Sequence, residues 1–180
     1  MLFRISYTPL RVRALCRGLV GTERKPLASL SDRHWRLCRN KDLQALIPNH
    51  IVDFDKLVEI VKEARDNFGI EGVTFSGGEP SLQKGLVDFN KAIHDLGLGI
   101  IMFSGRSKDA LNPELVNSVD LLIDGPFIES ELDTDRVLLG SKNKNLTFIT
   151  DRYESEADYF NNPVSIEEIT AEDYIFINGD

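Results

Sequence analysis

The chain has 180 residues, 42% hydrophobic and 28% charged, which suits one domain with a full core. A net charge of -8 and a pI near 4.9 argue against a nucleic-acid binder, and no apolar run has the length of a membrane span. Met1-Leu2-Phe3-Arg4 lacks the apolar core of a signal peptide, and two cysteines, Cys16 and Cys38, are too few for a disulfide framework, so the expectation is a cytoplasmic protein.

In chain order, Phe3, Ile5 and Tyr7 alternate within 2–10 and predict an edge strand. From 11 to 37 the character changes. Arg11, Arg13, Arg17, Arg24, Lys25, Arg33 and Arg36 are opposed there only by Glu23 and Asp32, and periodicity is weak. Order resumes at Asp53, an N-cap candidate before the stripe Leu57, Val58, Ile60, Val61 and Ala64, which ends near Asn67-Phe68-Gly69. Residues 70–76 predict a buried strand and 82–96 an amphipathic helix carrying Leu82, Leu86, Phe89, Ile93 and Leu96. A strand over 97–103 follows, then a short helix with Pro113 in its first turn, then a strand over 119–123. Leu146 to Thr150 reads as a further strand, and Tyr174 to Ile177 as a last edge strand inside an acidic tail, 154–180. Alternating strands and helices at this spacing imply an α/β domain with a mostly parallel sheet.

Three consecutive predicted strands end in small or glycine-containing turns: Ser76-Gly77-Gly78, Ser104-Gly105 and Asp124-Gly125. Ligands of parallel sheets gather at the carboxyl ends of the strands. Gly77 and Gly78 have no Cβ and allow a ligand to approach the main chain closely. Glu79 adds a carboxylate suited to an ammonium or a ribose hydroxyl, and Pro80 fixes the exit from the turn. Asp124 fits two roles, a turn acid making an Asx-type bond or a group facing the site.

Gly72-Val-Thr-Phe-Ser-Gly-Gly-Glu-Pro80, followed by Asp120-Leu-Leu-Ile-Asp-Gly-Pro-Phe127, resembles the radical S-adenosylmethionine superfamily. Within it the chain is similar to the short activating proteins of glycyl-radical enzymes, above all that of anaerobic ribonucleotide reductase. Gly140-Ser141-Lys142-Asn143 resembles the family's Gly-Ser-x-Asn, with Lys144-Asn145 where the family usually has Gln-Arg. The resemblance implies a partial (β/α) barrel and a turn, Ser76 to Pro80, that binds the methionyl amino group of S-adenosylmethionine. Ser104 and Asp124 complete that expected cofactor site. It also implies a [4Fe-4S] cluster, a glycyl-radical enzyme as partner, and an electron donor such as flavodoxin or ferredoxin. Neither nucleic acid nor membrane is an expected partner.

The family holds its cluster on three thiolates spaced C-x-x-x-C-x-x-C. Cys38-Arg39-Asn40 resembles the third, which makes Cys38 the expected metal ligand, but the family spacing puts Trp35 and Ser31 at the other two positions. Thiolate sulfur suits this cluster and neither residue replaces it. Two readings of 11–37 follow: a degenerate cluster loop in a non-catalytic, ligand- or protein-binding homologue, or a segment translated in a shifted frame.

Overall fold

In the computed structural model, 53–76, 79–136 and 138–160 are described in full, and 2–7, 11–12, 16–17, 167–171 and 174–178 as backbone strands. Helix α1, Phe54–Phe68, begins at Asp53, whose side chain accepts from the Asp55 N–H, and ends at Gly69 in the left-handed conformation, φ 60°. These are the termini expected from the sequence: an acid satisfies an orphan amide, and glycine turns left-handed without strain. Leu57, Val61 and Ala64 recur at helical spacing and form the buried stripe.

Strand β4, Gly72–Ser76, pairs in parallel with β5, Gly99–Phe103, and β5 with β6, Leu121–Asp124. Helix α2, Leu86–Asp95, connects the first pair and the short α3, Pro113–Val116, the second. The predicted helix over 82–96 is divided: Pro80–Leu82 form a separate 3-10 turn, and Gly85 at φ 76° redirects the chain before α2 starts.

Antiparallel strands flank this parallel centre. β7, Asn145–Phe148, pairs with β6, and β1, Leu2–Tyr7, pairs with β4. β1 is not the edge strand its alternation predicted. Its other side carries β2, Arg11–Val12, and β3, Cys16–Arg17, because a two-residue period reveals which face is buried and not how many neighbours a strand has. The sheet order is therefore β2-β1-β4-β5-β6-β7, with β3 also on β1, and among the described residues it is open. Strands β8, Glu167–Ala171, and β9, Tyr174–Asn178, form a separate antiparallel pair.

Both faces of the centre are covered. Val73, Phe75, Ile100, Met102 and Leu122 pack with Leu57 and Val61 of α1, Phe89 and Ile93 of α2, and Leu115 of α3. The alternate residues Ile101, Leu121 and Ile123 pack with Leu139 and with Phe160 of α4, Ala157–Phe160. Each fully buried side chain of this size stabilises the fold by about 1.5–3 kcal/mol, which explains why these strands read as continuous apolar runs.

The amino ends of the strands are knitted by Asp120, which is 4% exposed. Its carboxylate accepts from the Ile100 N–H at 2.7 Å and the Thr150 hydroxyl at 2.7 Å, and meets His94 Nε2 at 3.0 Å. Tyr153 lies across the same end, where a Cβ on Gly99 would collide with its hydroxyl and one on Gly72 would sit 2.7 Å from it. Among the described residues, no helix is long and apolar enough to cross a membrane.

Candidate functional site

The carboxyl ends of β4, β5 and β6 have a different character. β4 ends at Ser76, half-buried; Gly77 and Gly78 lie outside the described residues. The chain resumes at Glu79, which caps the 3-10 turn through the Ser81 N–H at 3.2 Å, with Pro80 buried at its first position. Glu79 is itself buried, 8% exposed. Its Oε1 accepts from the Ser104 hydroxyl and its Oε2 from the Gly105 N–H, both at 2.9 Å. The turn after β4 is thereby tied to the turn after β5, and the Ser104 oxygen in turn accepts from the Arg106 N–H at 3.0 Å. A carboxylate with three such donors retains acceptor capacity for one more.

Asp124, at the end of β6, is 2% exposed. One oxygen accepts from the Lys108 N–H at 2.7 Å, a bond to the loop after β5 and not the local Asx bond that a turn acid would make. The other oxygen, Oδ1, is buried and has no partner among the described residues. Among the described residues Ser81 Oγ and Asn143 Oδ1 share that condition in neighbouring loops, and Asn90 Oδ1 shares it on α2. Buried polar atoms are nearly always paired, so a concentration of unpaired ones at the ligand end of a sheet points to groups that a ligand satisfies.

The segment Gly140 to Lys144 returns over these turns before β7 begins. Ser141, fully buried, accepts from the Ile128 N–H at 3.3 Å, and the Asn143 amide donates to the Pro126 carbonyl at 2.7 Å. Gly125 is held at φ 110°, which only glycine adopts readily, with Asn143 filling the space beside it. Lys144 then reaches across the strand ends: its Nζ donates to the Gly125 carbonyl at 2.5 Å and the Ser104 carbonyl at 3.2 Å. Burial pushes the Lys144 ammonium below the ordinary lysine range, against the opposing pull of Glu79 and Asp124.

Glu79, Ser104 and Asp124 thus gather at one end of the sheet, as expected from their positions at strand termini. Lys144 is the residue that sequence reasoning left unassigned, because its partners lie 40 and 19 residues away in the chain. Cys38 lies outside the described residues. Cys16 belongs to β3, which runs in the same direction as β4, since both are antiparallel to β1; Arg17 and Ser76 both pair with Leu2. Among the described residues, no group of three or more His, Cys, Asp or Glu is placed to hold a metal ion.

The 4Fe-4S single cluster domain family matches residues 31–147, a stretch that contains Cys38, Glu79, Ser104, Asp124 and Lys144. No curated protein and no solved structure matches the chain. The match covers more than half of the 180 residues, and the chain belongs to the 4Fe-4S single cluster domain family.

Proposed function

We propose that the chain is a protein of the radical S-adenosylmethionine type that binds S-adenosylmethionine at the carboxyl ends of β4, β5 and β6. The observation that carries this reading is the pair of buried carboxylates there, Glu79 and Asp124, the second with an oxygen that has no donor among the described residues. An ammonium or a ribose hydroxyl is the donor such a site wants. In this reading Gly77, Gly78 and Glu79 receive the methionyl ammonium, Ser76 and Pro80 frame the turn, and Ser104 positions the Glu79 carboxylate. The fold that goes with it is a partial barrel, supported by the successive βαβ units that open their loops at one end.

The family's cluster does not fit the donor set of this chain. Such clusters are held by cysteine thiolates. The sequence supplies two cysteines, and only Cys38 falls inside the matched stretch. The function best supported is therefore that of a ligand-binding homologue. The family match supports a 4Fe-4S cluster protein, and with the motif resemblance it leaves a second reading, an activating enzyme for a glycyl-radical partner such as anaerobic ribonucleotide reductase, drawing electrons from flavodoxin or ferredoxin. It requires cluster donors beyond the two thiols.

Two measurements separate these readings. A saturable thermal shift of the purified chain with S-adenosylmethionine is expected, and its absence refutes the ligand assignment. Anaerobic reconstitution with iron and sulfide, followed by absorbance and electron paramagnetic resonance after reduction, is expected to yield no stoichiometric [4Fe-4S] signal. A full signal moves the conclusion to the activating enzyme.

A further inference from the structure

We propose that Lys144 is a specificity-determining residue that binds the carboxylate of the ligand's amino-acid portion, so that the site selects a zwitterion over a plain amine. This rests on the ligand reading above and goes beyond it, because Lys144 lies just before β7, outside the turns after β4, β5 and β6 to which that reading assigns the ligand.

The geometry points there in three steps. An ammonium has three donors, and two of those of Lys144 go to the Ser104 and Gly125 carbonyls, leaving one for an acceptor. Ser104 stands between opposite charges: its hydroxyl donates to Glu79, and its carbonyl accepts from Lys144. An acid and a base held on the two polar groups of one residue are matched by a ligand carrying an ammonium and a carboxylate on one carbon. The third step is charge. Glu79 and Asp124 with Lys144 carry one net negative charge when ionised, and a zwitterion with an additional sulfonium brings one net positive charge. Among the described residues the groups facing Lys144 with charge are those two carboxylates, and burial already disfavours its ammonium. A ligand carboxylate relieves that penalty by a charge-assisted hydrogen bond.

The test uses the full-length chain and three probes: S-adenosylmethionine, its decarboxylated analogue, and 5′-methylthioadenosine, with affinities measured by calorimetry. The wild type is expected to bind S-adenosylmethionine at least about tenfold more tightly than the decarboxylated analogue, the scale of one charge-assisted bond. In Lys144→Met and Lys144→Gln that preference falls to about twofold or less, and any change in methylthioadenosine affinity reports the general loss of pocket shape against which the preference is read. Lys144→Arg retains part of the preference. An unchanged preference in both neutral variants overturns the proposal, as does tighter binding of S-adenosylmethionine to them, which makes Lys144 an internal competitor for Glu79. The wild-type comparison decides the matter even where a variant fails to fold: equal affinity for the two sulfonium ligands refutes the role of Lys144 alone, whereas no binding of any probe refutes the ligand site and this assignment with it.

Discussion

The Ser104 hydroxyl donates to Glu79 Oε1 at 2.9 Å across 25 residues of chain, and that bond joins the turns after β4 and β5. Glu79→Ala removes the acceptor for three donors, one of them the buried Ser104 hydroxyl, and is expected to cost about 1–3 kcal/mol in urea denaturation. Glu79→Gln retains the shape and loses the charge. Its NH2 replaces one accepting oxygen and leaves the Gly105 or Ser81 N–H without an acceptor, so stability is expected to fall by about 1–2 kcal/mol, and affinity for S-adenosylmethionine by about tenfold or more. Unaltered affinity in both variants removes Glu79 from the site.

Asp120 is expected to be the most sensitive carboxylate to truncation. Asp120→Ala strands the Ile100 N–H, and it releases Thr150 and His94 together, so a loss of about 3 kcal/mol or more is predicted. Asp120→Asn retains an acceptor for Ile100 and loses less. Chemical denaturation of the two variants side by side checks the order; equal losses contradict it.

Gly99 and Gly72 lie opposite each other in register at the amino ends of β5 and β4, and their responses to an added methyl differ. A Cβ on Gly99 meets the Tyr153 hydroxyl and Arg152 Cδ, both side-chain atoms, whereas a Cβ on Gly72 also meets the Gly99 carbonyl oxygen at 2.8 Å. Each alanine substitution is expected to cost about 1–3 kcal/mol through overpacking. In a Tyr153→Ala background the Gly99→Ala penalty falls to about 1 kcal/mol or less, while that of Gly72→Ala persists, because the backbone cannot step aside. A double-mutant cycle reads both; equal coupling at the two glycines is the contrary result.

Tyr153 gives an alkaline signature. Burial foremost, then the charge of Asp120, pushes its hydroxyl up to about 12 from an ordinary value of 10.0. Between these values the unfolded chain loses the proton and the folded chain keeps it, so stability present below pH 10 declines as pH rises through the window, by at most about 3 kcal/mol. Lys144, whose folded ammonium is disfavoured, contributes a slope of opposite sign, so the quantity to measure is wild type minus Tyr153→Phe. That difference is expected to shrink from pH 10 to pH 12; a constant difference contradicts the assignment.

Much of the scaffold was legible because local chemistry determines it. The Asp53 cap, the stripe Leu57-Val61-Ala64 and the Gly69 stop are short-range signals, and β4, β5 and β6 are apolar runs bounded by turn residues. The gathering of Glu79, Ser104 and Asp124 also followed, since parallel strands deliver their termini to one end. Other features depend on the tertiary fold. β1 acquired neighbours on both sides that no alternation pattern encodes, and the helix after β4 was interrupted by Gly85, which a window scoring apolar spacing passes over. Lys144 finds its carbonyls 40 and 19 residues away, and only the assembled sheet brings them together.

The two ends of the parallel strands divide the labour of the domain. Asp120 and Tyr153 make the amino ends a closed base in which main chain and side chains leave no room, while the carboxyl ends carry loops with unspent polar atoms. The loops after β4, β5 and β6 are tied to one another through Glu79, Asp124 and Lys144 and not to the Asp120 and Tyr153 base, so they form one unit. A change at the rim therefore has to be made across all three loops together, whereas one at the root meets the packed contacts of Asp120 and Tyr153 at once.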